Sequence, residues 1–164
     1  MTPDFKFQYD GSFILATPAE RVEVFDRNLV HIVQNMAVIL QERNGAGLAA
    51  PQVNISQQIL VLEFFPFTMI NPKIEKTEGT QTIKEGCLSF PGLFFNVKRS
   101  KDITVTWQDQ TGEEHTQEFK NLEATVIQHE VDHLNGVVFT ERAPATTVLL
   151  AKKQLFNSKK GPRR

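Results

Sequence analysis

The chain predicts an α+β fold, with helices and strands kept in separate blocks rather than alternating along the sequence. Three observations carry that expectation. An amphipathic helical period fills about 26–43, short β-type segments fill 58–119, and helical stretches return from Leu122 to Leu134 and from about Thr146 to Asn157.

In the first helix Leu29, Ile32, Val33, Met36, Ala37 and Leu40 follow the i, i+3, i+4, i+7 rule, with Asp26 as N-cap and Asn44-Gly45 as stop. Upstream, Thr17-Pro18-Ala19-Glu20 looks like a capping box, but no helical period follows, so that segment is read as extended or turn. Gln58 to Glu63, with Ile59, Leu60, Val61 and Leu62, has the composition of a buried strand. Met69-Ile70 should end at Asn71-Pro72, and Lys73 to Thr77 should form another short strand before the Glu78-Gly79 turn. Ile103, Val105 and Trp107 alternate with Thr104 and Thr106 in a half-buried strand, and the Asp109 to Gly112 turn returns the chain to Phe119 as its hairpin partner. Val137-Val138-Phe139 reads as a short strand before the last helix.

At 164 residues the chain is read as one domain, 1–164, large enough to bury a core. Its 40% hydrophobic and 23% charged residues are those of a soluble globular protein. No apolar run approaches the roughly 18 residues a membrane span needs. The start, Met1 to Lys6, matches neither a secretion signal nor a transit peptide, and a single cysteine excludes an internal disulfide. A cytoplasmic location is the expectation. Charge is unevenly spread. All 19 acidic residues lie at or before Glu141, whereas Arg142, Lys152, Lys153, Lys159, Lys160, Arg163 and Arg164 have no acidic neighbour among them. The 158–164 tail is read as basic and flexible, either simply solvated or in contact with an RNA-rich partner.

Three clusters carry chemistry. Gln128-His129-Glu130-Val131-Asp132-His133 places two histidines four apart, on one face of a helix, where both can reach one metal ion. Glu130 is rotated away from that pair, beside the ion rather than among its ligands. Alone, the pattern also fits an exposed helix carrying two histidines and two acids. Glu85-Gly86-Cys87-Leu88-Ser89-Phe90-Pro91 presents the one cysteine in a loop; it is either a small buried hydrophobe or the third ligand, leaving one tetrahedral position open. Gly45 to Gln52 is dense in small residues, as a tight turn or a close approach to a ligand requires. There Gln52 could donate to a carbonyl oxygen as it gains charge.

Together, G-x-G-L-A-A-x-Q at Gly45 to Gln52, E-G-C-L-S at Glu85 to Ser89 and Q-H-E-x-D-H at Gln128 to His133 resemble the peptide deformylase family, in the same order and with similar spacing. The resemblance implies antiparallel or mixed β-sheets packed around a central metal-binding helix, flanked by an N-terminal and a C-terminal helix. It implies a hydrolase that removes the formyl group from the N-terminal formylmethionine of nascent polypeptides and releases formate. Cys87, His129 and His133 would bind one divalent ion, Fe(II) in the cell, with Zn(II), Ni(II) or Co(II) as substitutes. Glu130 would take a proton from the attacking water and return it to the leaving amine; Gln52 and the Leu88 backbone N–H would stabilise the oxyanion. Ala46, Gly47, Ile83, Glu85, Leu88, Leu122 and Val126 would hold the substrate, and Arg99 would lie near its backbone. The basic C-terminal helix and tail could dock on the ribosome. No DNA or membrane partner is implied, and a monomer is expected. The chain departs from the family at Phe64-Phe65-Pro66-Phe67, where a polar loop is usual, and again at Phe94-Phe95; both pairs fit either a core or the rim of a substrate groove.

Two other readings compete. An ordinary H-E-x-x-H metallopeptidase needs a later ligand, but no histidine follows His133 and Glu141 is the only later carboxylate. A non-catalytic RNA- or ribosome-binding module accounts for the tail but not for the three clusters.

Overall fold

A computed structural model describes residues 5–158; of the basic tail only Ser158, the last helical residue, falls inside that range. Among the described residues three α-helices, α1 (Arg27–Glu42), α2 (Asn121–Leu134) and α3 (Ala145–Ser158), accompany seven strands. The strands are β1 (Gly47–Ala49), β2 (Ile59–Leu62), β3 (Thr68–Glu78), β4 (Gln81–Gly86), β5 (Phe94–Arg99), β6 (Asp102–Gln108) and β7 (Glu114–Lys120). Strands β1, β2, β3, β6 and β7 form one antiparallel sheet in the order β1-β2-β3-β6-β7, and β4 pairs with β5 in a separate hairpin. Among the described residues the parallel component is a lone bridge between Glu20 and Gln57.

The sheet explains why β2 is apolar at every position. Leu60 and Leu62 face the cluster beneath α2, with Met69, Ile103, Val105, Ile127 and Leu134. Ile59 and Val61 face the opposite cluster beneath α1, with Leu29, Ile32, Val33, Met36 and Leu40. A strand buried on both faces has no alternation to show. Helix α1 follows its sequence pattern, and the Asp26 carboxylate accepts from the Leu29 backbone N–H at 3.0 Å.

Helix α2 is the centre of the molecule. Ala124, Ile127, Val131 and Leu134 bind it to the sheet, which leaves His129, Glu130 and His133 on an adjoining, equally buried face. The third core joins Phe90, Phe95, Val97 and Phe139 to Val148, Ala151 and Leu155 of α3.

The structure departs from the sequence reading at three places. The expected strand at Val137 to Phe139 is absent; Phe139–Arg142 is a 3-10 turn. Gly136, at φ 72°, ends α2 in the left-handed region, and the Val137 N–H turns back to the Asp132 carbonyl at 2.9 Å. A donor spent on a helix cap cannot open a strand ladder. The break expected at Asn71-Pro72 is instead a bulge inside one continuous β3. The Asn71 side chain exchanges hydrogen bonds with both the N–H and the carbonyl of Val22, at 2.8 and 2.9 Å, so an amide stands in for a neighbouring strand. Third, β1, β4 and β5 are strands the sequence reading did not assign.

Candidate metal centre and active site

Two distant segments meet at the buried face of α2. Strand β4 ends at Gly86 and delivers Cys87 into a turn closed by the Phe90 N–H on the Cys87 carbonyl at 3.0 Å. The Cys87 Sγ lies 3.3 Å from His133 Nε2, and the ligand atoms of Cys87, His129 and His133 lie within 4.8 Å of one another. Ligand atoms around a tetrahedral zinc-type ion stand about 3.5 Å apart. The donor set, one thiol and two imidazoles, therefore has the chemistry and approximate spacing to hold a divalent cation with a position left open.

Surrounding groups orient these donors. The Glu85 carboxylate pairs bidentately with Arg99, at 2.8 and 2.9 Å, and Oε2 also meets His129 Nδ1 at 2.9 Å. Burial would raise the Glu85 carboxyl, but hydrogen bonds from Arg99 and His129 outweigh it and hold it down at about 2. Arg99 continues to Asp132, which also pairs with Arg142. Burial, and then the charges of His129 and Arg99, hold His133 well below the usual imidazole range, leaving it neutral. Phe139 packs against His129, with ring centroids 5.8 Å apart.

Glu130 lies beside this set. It is 4% exposed and its Oε2 has no hydrogen-bond partner. Burial pushes its carboxyl up to about 7, against the opposing pull of His129 and Arg99. Strand β1 runs close past it: a Cβ on Gly47 would stand 2.7 Å from Glu130 Oε1, so glycine is needed there for space. Gln52 sits in the 3-10 turn Ala50–Val53, where its Oε1 accepts from the Ala49 N–H at 2.8 Å. That fixes the amide so that Nε2 donates to Ser89 Oγ at 3.2 Å and points toward Cys87 Sγ, 3.7 Å away.

These groups form the floor of a cavity of about 720 Å³. Ala46, Gly47, Gln52, Ile83, Glu85, Cys87, Leu88, Leu122, Val126, His129 and Glu130 all line it. His133 lies behind them. Arg99, expected near a bound peptide backbone, is not among the lining residues; its guanidinium is buried between Glu85 and Asp132. The aromatic pairs divide: Phe95 is core, Phe94 stands exposed on the cavity rim, Phe64 packs on the α2 core, and Phe65 and Phe67 are exposed. Sequence reasoning missed Ser89, which holds Gln52, and Asp132, which ties Arg99 to Arg142. It also missed Tyr9, Arg43 and Lys84 on the rim. Asp132 lies inside the H-E-x-D-H motif and Ser89 inside E-G-C-L-S, and those positions were the available signals.

An H-E-x-x-H helix with a third protein ligand and an open coordination position defines the metal-dependent hydrolases. Comparison with known proteins narrows that class. Residues 5–148 match the polypeptide deformylase family. The chain is 41% identical over 153 residues to a peptide deformylase of Thermotoga maritima, covering 91% of this chain and 93% of that one. It is 38% identical over 165 residues to one of Synechocystis, covering 94% and 88%. Its fold superposes on a Synechococcus elongatus peptide deformylase solved with actinonin at TM-score 0.87 and 36% identity, covering 93% of this chain and 86% of that one. A Legionella pneumophila peptide deformylase gives 0.88 at 30% identity, covering 96% of each chain. The chain belongs to the polypeptide deformylase family, metal-dependent enzymes that remove the N-formyl group from nascent polypeptides.

Proposed function

We propose that this chain performs the family's reaction as one catalytic domain, with Cys87, His129 and His133 holding a single divalent cation. The observation that carries the reading is the convergence of one thiol and two imidazoles beside a buried carboxylate whose Oε2 is unpartnered. When bound, the cation supplies Lewis acidity, polarising the formyl carbonyl and acidifying water.

The protein's own groups do the rest. Glu130 accepts a proton from water as its oxygen bonds to the formyl carbon, then gives that proton to the amine nitrogen as the C–N bond breaks. Formate and a free amino terminus leave. The Gln52 Nε2–H and the Leu88 N–H donate to the carbonyl oxygen as it gains negative charge. Ala46, Ile83, Leu88, Leu122 and Val126 offer apolar surface to the methionine side chain, and Gly47 lets the substrate backbone approach. Glu85 orients His129 rather than meeting substrate, and Arg99 holds Glu85.

Fe(II) is the proposed ion in the cell, with Zn(II), Ni(II) or Co(II) as substitutes, since thiolate and imidazole accept all four. The protein is proposed to act as a cytoplasmic monomer; among the described residues no helix is long and apolar enough to cross a membrane. The ribosome is proposed as a partner through α3, which carries Lys152 and Lys153, and the basic tail.

Anaerobically purified protein supplied with Fe(II) should release formate from formyl-Met-Ala-Ser and leave acetyl-Met-Ala-Ser intact. Equal hydrolysis of both, or of neither, would contradict the reading.

A further inference from the structure

We infer that the mouth of the cavity selects formylated peptides bearing acidic side chains on the residues after the first, a specificity that presupposes the deformylase reading. Two walls of the mouth each carry one exposed cation: Arg43, at the end of α1, and Lys84, on β4. Among the described residues the carboxylates lining the cavity, Glu85 and Glu130, are buried, and Glu85 is already committed to Arg99 and His129.

Neither rim cation has a carboxylate within 4.0 Å among the described residues, whereas four lysines elsewhere do; Lys6, Lys98, Lys101 and Lys153 share the lack of one, but none of them lines the cavity. Lys73 pairs with Glu75, Lys76 with Glu78, Lys120 with Glu118 and Lys152 with Asp10. Aromatic rings stand where acids would. The Arg43 guanidinium lies 3.6 Å from the Phe7 ring centroid and donates to the Tyr9 hydroxyl at 3.4 Å. The Lys84 ammonium lies 5.7 Å from the Phe94 ring centroid. A ring face holds a cation in place without neutralising it. Anchoring of the N-terminal segment by Arg43 accounts for its two contacts but leaves Lys84, on the other wall, unexplained.

A peptide whose formyl group reaches the floor must pass its following residues through this rim. There the field of two unpaired cations beside apolar walls attracts carboxylates and repels lysine and arginine side chains. Asp or Glu at the second or third position should therefore raise kcat/KM.

The test uses metal-loaded full-length protein and three peptides: formyl-Met-Asp-Glu, formyl-Met-Ala-Ser and formyl-Met-Lys-Lys. At low salt the acidic peptide should exceed the basic one in kcat/KM by about five-fold or more, a gap that high salt closes. Lys84→Glu should shrink or invert the acidic-to-basic ratio, and Lys84→Arg should keep it. Equal values for all three peptides, a preference for the basic one, or a ratio unmoved by Lys84→Glu would overturn the specificity while leaving the deformylase intact. No formate from any peptide would overturn the deformylase reading and this one with it.

Discussion

Glu85 and His129, 44 residues apart in sequence, are joined by a 2.9 Å contact between Oε2 and Nδ1. Because Glu85 stays ionised, it can only accept, so Nδ1 carries a proton and Nε2 is the nitrogen left to meet a cation, which would take the place of the proton there. The strand that delivers Cys87 thus also sets the tautomer of the first histidine of the motif. Arg99 completes the arrangement, since it keeps Glu85 charged despite burial.

Glu85→Gln keeps the shape and removes that charge. Metal affinity should fall about 10- to 100-fold, read by competition with a chromophoric chelator. Urea unfolding should also show a loss of about 3–5 kcal/mol, because Arg99 is left buried with only Asp132, which Arg142 shares. Unchanged affinity would remove Glu85 from the role of orienting His129.

Where a feature depends on local sequence alone, it was legible. The period of α1, the alternation of β6 and the turn at Asp109 to Gly112 are all local, and each is present. So are the two histidines and Glu130, whose spacing is a property of one helix. The β4–β5 hairpin was hidden because the inward positions of β5 are Phe95, Val97 and Arg99, and a buried arginine breaks the apolar alternation. Its partners Glu85 and Asp132 lie 14 and 33 residues away, beyond any local pattern. The same distance explains the displaced expectation for Arg99: a charged residue reads as exposed until its buried partners are known.

Gly47→Ala tests the closeness of β1 to Glu130, the proposed general base. The new methyl would meet Glu130 Oε1 at 2.7 Å and Val126 Cγ1 at 2.9 Å, so the carboxylate or the strand must shift. Turnover should fall on the order of 100-fold, as misplacements of about 1 Å do, while metal content holds. Full activity would mean that Glu130 need not stand where it does.

Glu130→Gln should retain the ion and lose formate release by roughly 10²- to 10⁴-fold, the usual contribution of a positioned base. Metal analysis and turnover are measured on one preparation. Near-normal turnover would dismiss the proton-transfer role.

Removing 158–164 should weaken co-sedimentation with ribosomes in a salt-sensitive way and spare peptide turnover, since the cavity is built from residues upstream. Equal sedimentation by the shortened chain would dismiss the docking role.

The most direct test measures bound metal and formate release from formyl-Met-Ala-Ser on the same anaerobic sample, for the native chain and for Cys87→Ser. The native chain should hold one ion per chain, with turnover rising in proportion to occupancy. Cys87→Ser should lose the ion or bind it much more weakly, and lose activity with it. Full metal stoichiometry in Cys87→Ser, or formate release independent of metal content, would contradict the assignment of Cys87, His129 and His133 as the catalytic metal site.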